Sequence, residues 1–305
     1  MNVLLLGRDG QVGWELQRTL APLGHVVATE AKGGPLTADL EDFDSLARAV
    51  RAVRPRLIVN AAAYTAVDRA ESEPDKAMRI NGEAPGVLAE LTKEQGAGLI
   101  HYSTDYVFAG DAERPYREDD ATGPRSVYGR SKLAGEAAIR QSGAAHLILR
   151  TAWVYGGRGS NFLLTVLRLM REREEMGVVA DQTGAPTWSR MLAEATALLV
   201  MRCREGECPI PQGRGGLYHL TCGGQTTWFG FAAAIRQQAL ALGLLQEPCA
   251  RVKPIATAEY PTPARRPAFS VLDCGKLRGD FALELPDWES ALRLCLQDVG
   301  RNPAG

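Results

Sequence analysis

A chain of 305 residues has room for one large domain or two modest ones. Its 35 Lys plus Arg against 36 Asp plus Glu leave a net charge of −1, which argues against a dedicated nucleic-acid or anionic-membrane surface. Hydrophobic residues at 45% and charged residues at 23% are ordinary globular proportions and exclude disorder as the main state.

No apolar run reaches the roughly 18 residues that a membrane-spanning helix needs. The opening segment 1–7 has no basic region and too short an apolar stretch for a signal peptide, so a cytoplasmic location is expected. The six cysteines contain no Cys-x-x-Cys, and no His lies near the closest pair, Cys203 and Cys208. They read as reduced thiols packed as small hydrophobes, with no metal site expected.

Residues 3–7, 25–30, 57–63, 99–104 and 146–155 form near-continuous apolar runs, as strands do when both sheet faces are covered. Amphipathic stretches at 12–23, 43–53, 75–95 and 131–142 alternate with them. This alternation predicts an α/β fold with a doubly wound, Rossmann-like parallel sheet, residues 1–150 forming a dinucleotide-binding domain. Pro85 lies inside the third helical stretch, so a break or kink is expected near Asn81. Beyond Tyr155 the pattern loosens. Residues 161–175, 191–204, 229–242 and 289–298 read as helical, and 177–181 and 217–221 as short strands. The segment 151–305 is expected to form a smaller, discontinuous substrate-binding lobe, with stretches near 177–204 and 216–221 returning to the first domain.

Gly7, Gly10 and Gly13 follow the first strand and open the first helix, with Gln11 and Val12 in the same turn. Glycines there allow a tight turn and close approach to a pyrophosphate, and the helix N-terminus adds free N–H groups and a positive dipole. Glu30 ends the second strand, 20 residues after Gly10, where an acid binds a ribose 2′-hydroxyl and repels a 2′-phosphate. Arg8 pulls the other way, so both NADH and NADPH remain open as cofactor. Asp39 and Leu40 are placed to hold the adenine, and the small Ala61, Ala62 and Ala63 leave room for the dinucleotide.

Tyr128 and Lys132 stand four residues apart, on one face of a helix. A cation beside a phenol stabilises the phenolate and is expected to draw the Tyr128 pKa down toward the working pH. The pair opens the helix that follows Ser103, Thr104 and Asp105, at the C-terminal end of the fourth strand, where open α/β sheets bind ligands. Thr104 is placed to hydrogen-bond the substrate oxygen that Tyr128 protonates.

These features resemble the extended short-chain dehydrogenase/reductases and, more narrowly, the dTDP-4-dehydrorhamnose reductases. The shared stretches are GRDGQVGWELQRTL (7–20), VNAAAYTAVDRAESEP (59–74), HYSTDYVF (101–108), VYGRSKLAGE (127–136), RTAWVY (150–155), DQTGAPT (181–187), GLYHL (216–220) and YPTPARRP (260–267). The resemblance implies reduction of the C4 ketone of dTDP-6-deoxy-L-lyxo-4-hexulose by NADPH or NADH, the last step of dTDP-L-rhamnose synthesis. In it Tyr128 is the acid, Lys132 holds the nicotinamide ribose, Thr104 polarises the ketone, and Asp105 and Trp153 surround the sugar. Ser103 is expected to line the cofactor. Asn81 is expected to support a water relay to Lys132, with a plain helix-breaking role equally open. Arg265 and Arg266 read either as diphosphate contacts or as solvated side chains.

Two other readings stay open: a nucleotide-sugar epimerase or dehydratase on the same scaffold, and a regulatory subunit that binds a dinucleotide without turnover. Tyr106 stands where the dehydratase motif places Glu, which weakens the former. Some members of the family dimerise around Mg²⁺ held by carboxylates. Glu15 matches one such ligand, but Arg190 stands at a second, and a cation there opposes Mg²⁺. A homodimer is left open.

Overall fold

The computed structural model describes residues 1–301 except 35, 207 and 212. Six parallel strands form the central sheet: β1 (Asn2–Leu6), β2 (His25–Thr29), β3 (Leu57–Asn60), β4 (Gly98–Thr104), β5 (His146–Thr151) and, late in the chain, β7 (Gly216–His219). Their order across the sheet is β7-β5-β4-β3-β1-β2. The chain steps from β1 outward to β2 and then back past β1 to β3. The strand order therefore reverses beside β1, and the loop after β1 opens into the crevice that such a reversal leaves.

Both sheet faces are buried, which explains the unbroken apolar runs. On one face Val3, Leu5, Val59 and Leu149 pack beneath α1 (Gln11–Thr19) and α6 (Ser189–Cys203). On the other, Leu4, Leu6, Ile58 and Ile148 pack beneath α2 (Phe43–Val53), α3 (Ala84–Glu94) and α4 (Val127–Ser142). A separate core of Tyr155, Leu163, Val166, Phe231, Trp288 and Leu292 joins α5 (Phe162–Glu172), α7 (Trp228–Ala241) and α9 (Trp288–Arg301), after the short helix α8 (Gly275–Phe281). Of the two late segments expected back at the sheet, β7 pairs with β5 at its edge. By contrast, β6 (Glu175–Val179) pairs with β8 (Arg251–Ile255) in a ribbon outside the sheet.

Three boundaries differ from expectation. The strand expected over 146–155 ends at Thr151, because Trp153 takes a φ of +48° and turns the chain before Val154. The helix expected over 75–95 is a short helix, Pro74–Met78, a wide π turn over Arg79–Glu83, and then α3. Pro85 has no N–H to give the Asn81 carbonyl, so the turn widens there. The freed carbonyl sits against α4, where a Cβ on Gly135 would lie 2.2 Å from it. The helix expected from 131 begins at Val127, because the Ser126 hydroxyl accepts from the Gly129 amide at 3.1 Å and Glu71 accepts from the Val127 amide at 2.8 Å.

Among the described residues no helix is long and apolar enough to cross a membrane.

Candidate active site

The glycine loop is shaped by close backbone approach. At Gly7, where φ is +83°, a Cβ would lie 2.7 Å from the Ala62 amide nitrogen, and one at Gly13 would lie 1.9 Å from the Gly7 carbonyl oxygen. Only glycine lets β1, the Ala61–Ala62 backbone and the start of α1 meet so closely. The N-terminus of α1 is left with no side-chain cap at Gly10, so its free N–H groups face the crevice. Gln11 reaches from this turn to the Val154 carbonyl at 3.5 Å, and Val12 is half-buried beneath it. Ala61, Ala62 and Ala63 are half-buried at the mouth of the same crevice. This cradle fits a dinucleotide pyrophosphate on its own geometry.

Arg8 and Glu30 are not independent: the guanidinium and carboxylate meet at 2.7 Å. At the next turn the Asp39 carboxylate accepts from the Glu41 amide at 2.9 Å. The Leu40 side chain is buried in the core with Leu6 and Leu46, which leaves only its main chain for an adenine.

Tyr128 sits in the first turn of α4, and Thr104 ends β4 opposite it. The Thr104 hydroxyl hydrogen-bonds the Tyr128 phenol and donates to the Asp105 carboxylate at 3.0 Å, while the Tyr106 amide donates to Thr104 at 3.2 Å. Burial raises the Tyr128 pKa well above the usual phenol range, and the Thr104 hydrogen bond only partly offsets it. This corrects the expectation of a lowered value. The cation meant to lower it points elsewhere: Lys132 Nζ lies 2.6 Å from the Tyr102 carbonyl and 3.1 Å from His101 Nε2. Burial lowers the Lys132 pKa to about 8. Burial likewise raises Asp105 to about 6, against the hydrogen bonds from Ser270 and Thr104.

Ser103 faces away from the crevice. Its hydroxyl donates at 2.6 Å to Glu136, which is itself clamped by Arg150 Nε at 2.8 Å and Nη2 at 2.7 Å. Successive strand residues alternate faces, so Ser103 points into the packing beneath α4 and its side chain is unavailable to a cofactor. Asn81 also has nearer partners than Lys132. Its amide bonds the Tyr64 backbone at 2.9 Å and 3.0 Å and the Ser131 hydroxyl at 3.1 Å, locking the π turn onto α4.

Trp153 lies flat on Trp228 with ring centroids 3.5 Å apart, and Gly184 passes so close that a Cβ would lie 2.4 Å from the Trp153 ring. The positive φ of a residue this large marks a conformation held by its surroundings. Trp228 also borders a cavity of about 420 Å³ whose walls include Phe162, Val178, Tyr260 and Arg266. The two arginines separate: Arg265 is exposed, whereas Arg266 is held by Asp68 at 2.8 Å and reaches the Tyr106 hydroxyl at 3.4 Å. Tyr106 in turn meets the Tyr128 ring edge-on at 5.6 Å. Sequence reasoning missed Trp228 and His101. One is an aromatic at the start of an apolar helix and the other a lone His in an apolar strand, and both patterns read as core.

Arg190 joins Glu15 at 3.2 Å and also pairs with Asp298, all within one chain.

A family profile described as RmlD substrate binding domain matches residues 1–301. The chain is 50% identical to a dTDP-4-dehydrorhamnose reductase of Burkholderia thailandensis, covering 98% of this chain and 99% of that one. It is 47% identical to that of Escherichia coli K12, covering 98% of each. Among solved structures, the dTDP-4-dehydrorhamnose reductase of Bacillus anthracis in complex with NADP superposes with a TM-score of 0.87 at 34% identity, covering 97% of this chain and 99% of that one. The sequence motifs, the sheet with its glycine-lined crevice and the full-length similarity agree: the chain belongs to the dTDP-4-dehydrorhamnose reductase family.

Proposed function

We propose that this protein is an NAD(P)H-dependent oxidoreductase that reduces the C4 ketone of dTDP-4-dehydro-L-rhamnose to give dTDP-L-rhamnose, the last step in making that nucleotide sugar. The observation that carries the reading is the Thr104–Tyr128 hydrogen bond at the C-terminal end of β4, on the same end of the sheet as the glycine cradle. Membership of the family over the full chain supplies the substrate class.

The crevice residues Gly7, Gly10, Gln11, Val12 and Gly13 take the pyrophosphate, Glu30 with Arg8 faces the adenosine ribose, and Asp39 with the Leu40 main chain takes the adenine. A reduced nicotinamide bound there supplies the hydride. Burial keeps the Tyr128 proton in place at neutral pH, so the phenol is loaded as an acid. As negative charge develops on the substrate O4, Tyr128 passes its proton to that oxygen. Thr104 stays bonded to the phenol oxygen and stabilises the phenolate that remains. Asp105 and Trp153 border the sugar, Trp228 extends the aromatic wall toward the thymine, and Arg266 is placed for a diphosphate oxygen. Lys132 holds the nicotinamide ribose.

The test is loss of absorbance at the nicotinamide band when the purified protein meets the enzymatically prepared 4-keto sugar. Stoichiometric conversion to the rhamnosyl nucleotide is expected with NADPH or NADH. Cofactor binding without consumption would overturn the reading.

A further inference from the structure

Buried beneath the site, a row of polar groups runs from the end of β3 to α4. The Ala62 amide donates to Asn60 Oδ1 at 3.2 Å. Asn60 Nδ2 lies 3.1 Å from His101 Nδ1, and His101 Nε2 lies 3.1 Å from Lys132 Nζ. Lys132 Nζ lies 2.6 Å from the Tyr102 carbonyl. Asn60, His101 and Lys132 are each at most 2% exposed, so no bulk water corrects a mismatch among them.

The proton positions follow from the two ends. A backbone amide can only donate, so the Asn60 oxygen faces Ala62 and its NH₂ faces the imidazole. His101 Nδ1 is therefore the acceptor. A neutral imidazole with an accepting Nδ1 carries its proton on Nε2, and that proton points at Lys132. An ammonium there would set donor against donor. A neutral amine accepts from His101 through its lone pair, donates to the Tyr102 carbonyl, and keeps one N–H over.

We propose that Asn60 and His101 form a hydrogen-bond chain of fixed polarity that holds Lys132 as a neutral amine in the cofactor-free protein, making His101 a positioning residue for Lys132. The surrounding charges agree. On α4, Glu136 lies one turn beyond Lys132, but its carboxylate is committed to Arg150 and Ser103. Tyr128, one turn before, keeps its proton, and Asp105 and Tyr106 sit on the phenol side. On β4, His101 is held neutral because burial and the neighbouring Lys132 both lower its pKa well below the ordinary value. The lowered Lys132 pKa has the same sense. With no cation forced on the phenol, Tyr128 holds the proton that the reduction requires. That last step rests on the proposed role of Lys132; the polarity of the chain does not.

The test is therefore made on the cofactor-free protein, without turnover. With four histidines in the chain, long-range ¹H–¹⁵N correlation spectra can identify the His101 ring by comparison with His101→Gln. The expected form at neutral pH is protonated on Nε2 alone. A ring protonated on Nδ1, or doubly protonated, overturns the proposal. Asn60→Asp still accepts from Ala62 but also accepts from Nδ1–H, which reverses the chain. The variant should move the ring proton to Nδ1 and raise the Lys132 titration midpoint, followed at ¹³Cε, by about one unit or more. An unchanged tautomer in that variant overturns the proposal. Should Asn60→Asp fail to fold, the wild-type ¹³Cε titration decides: a midpoint below the ordinary lysine range is expected, and one at or above it is fatal. A protein with the expected tautomer that still fails to consume nicotinamide would discredit the catalytic reading alone.

Discussion

The Arg8 guanidinium and the Glu30 carboxylate meet at 2.7 Å beside the glycine loop. The two residues whose charges argue for different cofactors thus neutralise each other. A 2′-hydroxyl can accept or donate against the pair without breaking it. A 2′-phosphate must compete with Glu30 for Arg8 but gains a cation on doing so. Use of both NADH and NADPH is expected. Glu30→Ala releases Arg8 and removes the repulsion, so the ratio of kcat/KM values should shift toward NADPH. A shift toward NADH, or none, would place Glu30 away from the ribose.

Tyr128→Phe keeps the ring and its edge contact with Tyr106 but removes the proton donor. Its kcat should fall roughly 10²–10⁴-fold, the usual contribution of general acid catalysis. Dinucleotide affinity, measured by fluorescence or calorimetry, should be retained. Lys132→Met should lower both turnover and dinucleotide affinity. Near-normal turnover by the Phe variant would exclude Tyr128 as the acid.

Asp105 is buried, and its carboxyl is raised from the ordinary 3.8 to about 6 by desolvation. Both states are protonated at low pH. As the pH rises past the ordinary value the unfolded chain ionises first, while the folded protein resists until about pH 6. The contribution to stability is therefore complete below about pH 4 and is lost as the pH rises through 6. Two pKa units correspond to about 3 kcal/mol as an order of magnitude. Asp105→Asn removes this dependence. Denaturant unfolding of both proteins between pH 4 and 7 should show the variant gaining on the wild type as the pH rises. A constant difference across that range would refute the assignment.

Glu136 and Arg150 are buried almost completely, with side-chain exposures of 0% and 1%. Removing one member strands the other charge away from water, at a cost of about 3–5 kcal/mol. Glu136→Ala should lose stability on that scale in urea with an unchanged m-value. A loss under about 1 kcal/mol would mean that water or a new partner reaches Arg150.

The sheet and the glycine cradle were legible because they depend on pattern: apolar runs of strand length, and glycines at the turn between a strand and a helix. The pairing of Tyr128 with Thr104 was legible for a similar reason, since strand end and helix start bound their positions. Side-chain direction at single residues was harder. Ser103 and Thr104 are neighbours of like chemistry, yet the pleat sends one to Glu136 and the other to Tyr128. Trp153 looked like strand because aromatic residues favour strands, and nothing local signals a positive φ in a Trp. The Asn60–His101–Lys132 row joins β3, β4 and α4, so no window along the chain contains it.

Arg190 lies between Glu15 and Asp298. Mg²⁺ needs oxygen ligands in near-octahedral geometry, and a guanidinium among those carboxylates both occupies their lone pairs and repels the ion. The cluster already carries its counter-charge, so chelation has nothing to remove. Treatment with EDTA should leave the elution volume in size-exclusion chromatography, the melting temperature and the reductase rate unchanged. Arg190→Glu reverses the argument. Glu15, residue 190 and Asp298 would then present three carboxylates to one another, with Glu194 nearby. In the absence of divalent cation the variant should melt below the wild type through like-charge repulsion. Added Mg²⁺ should restore part of that loss, because an ion that binds only the folded state stabilises it by mass action. A wild-type protein that dissociates or loses activity in EDTA would show that other carboxylates complete a metal site. A variant indifferent to Mg²⁺ would show that the three side chains do not converge.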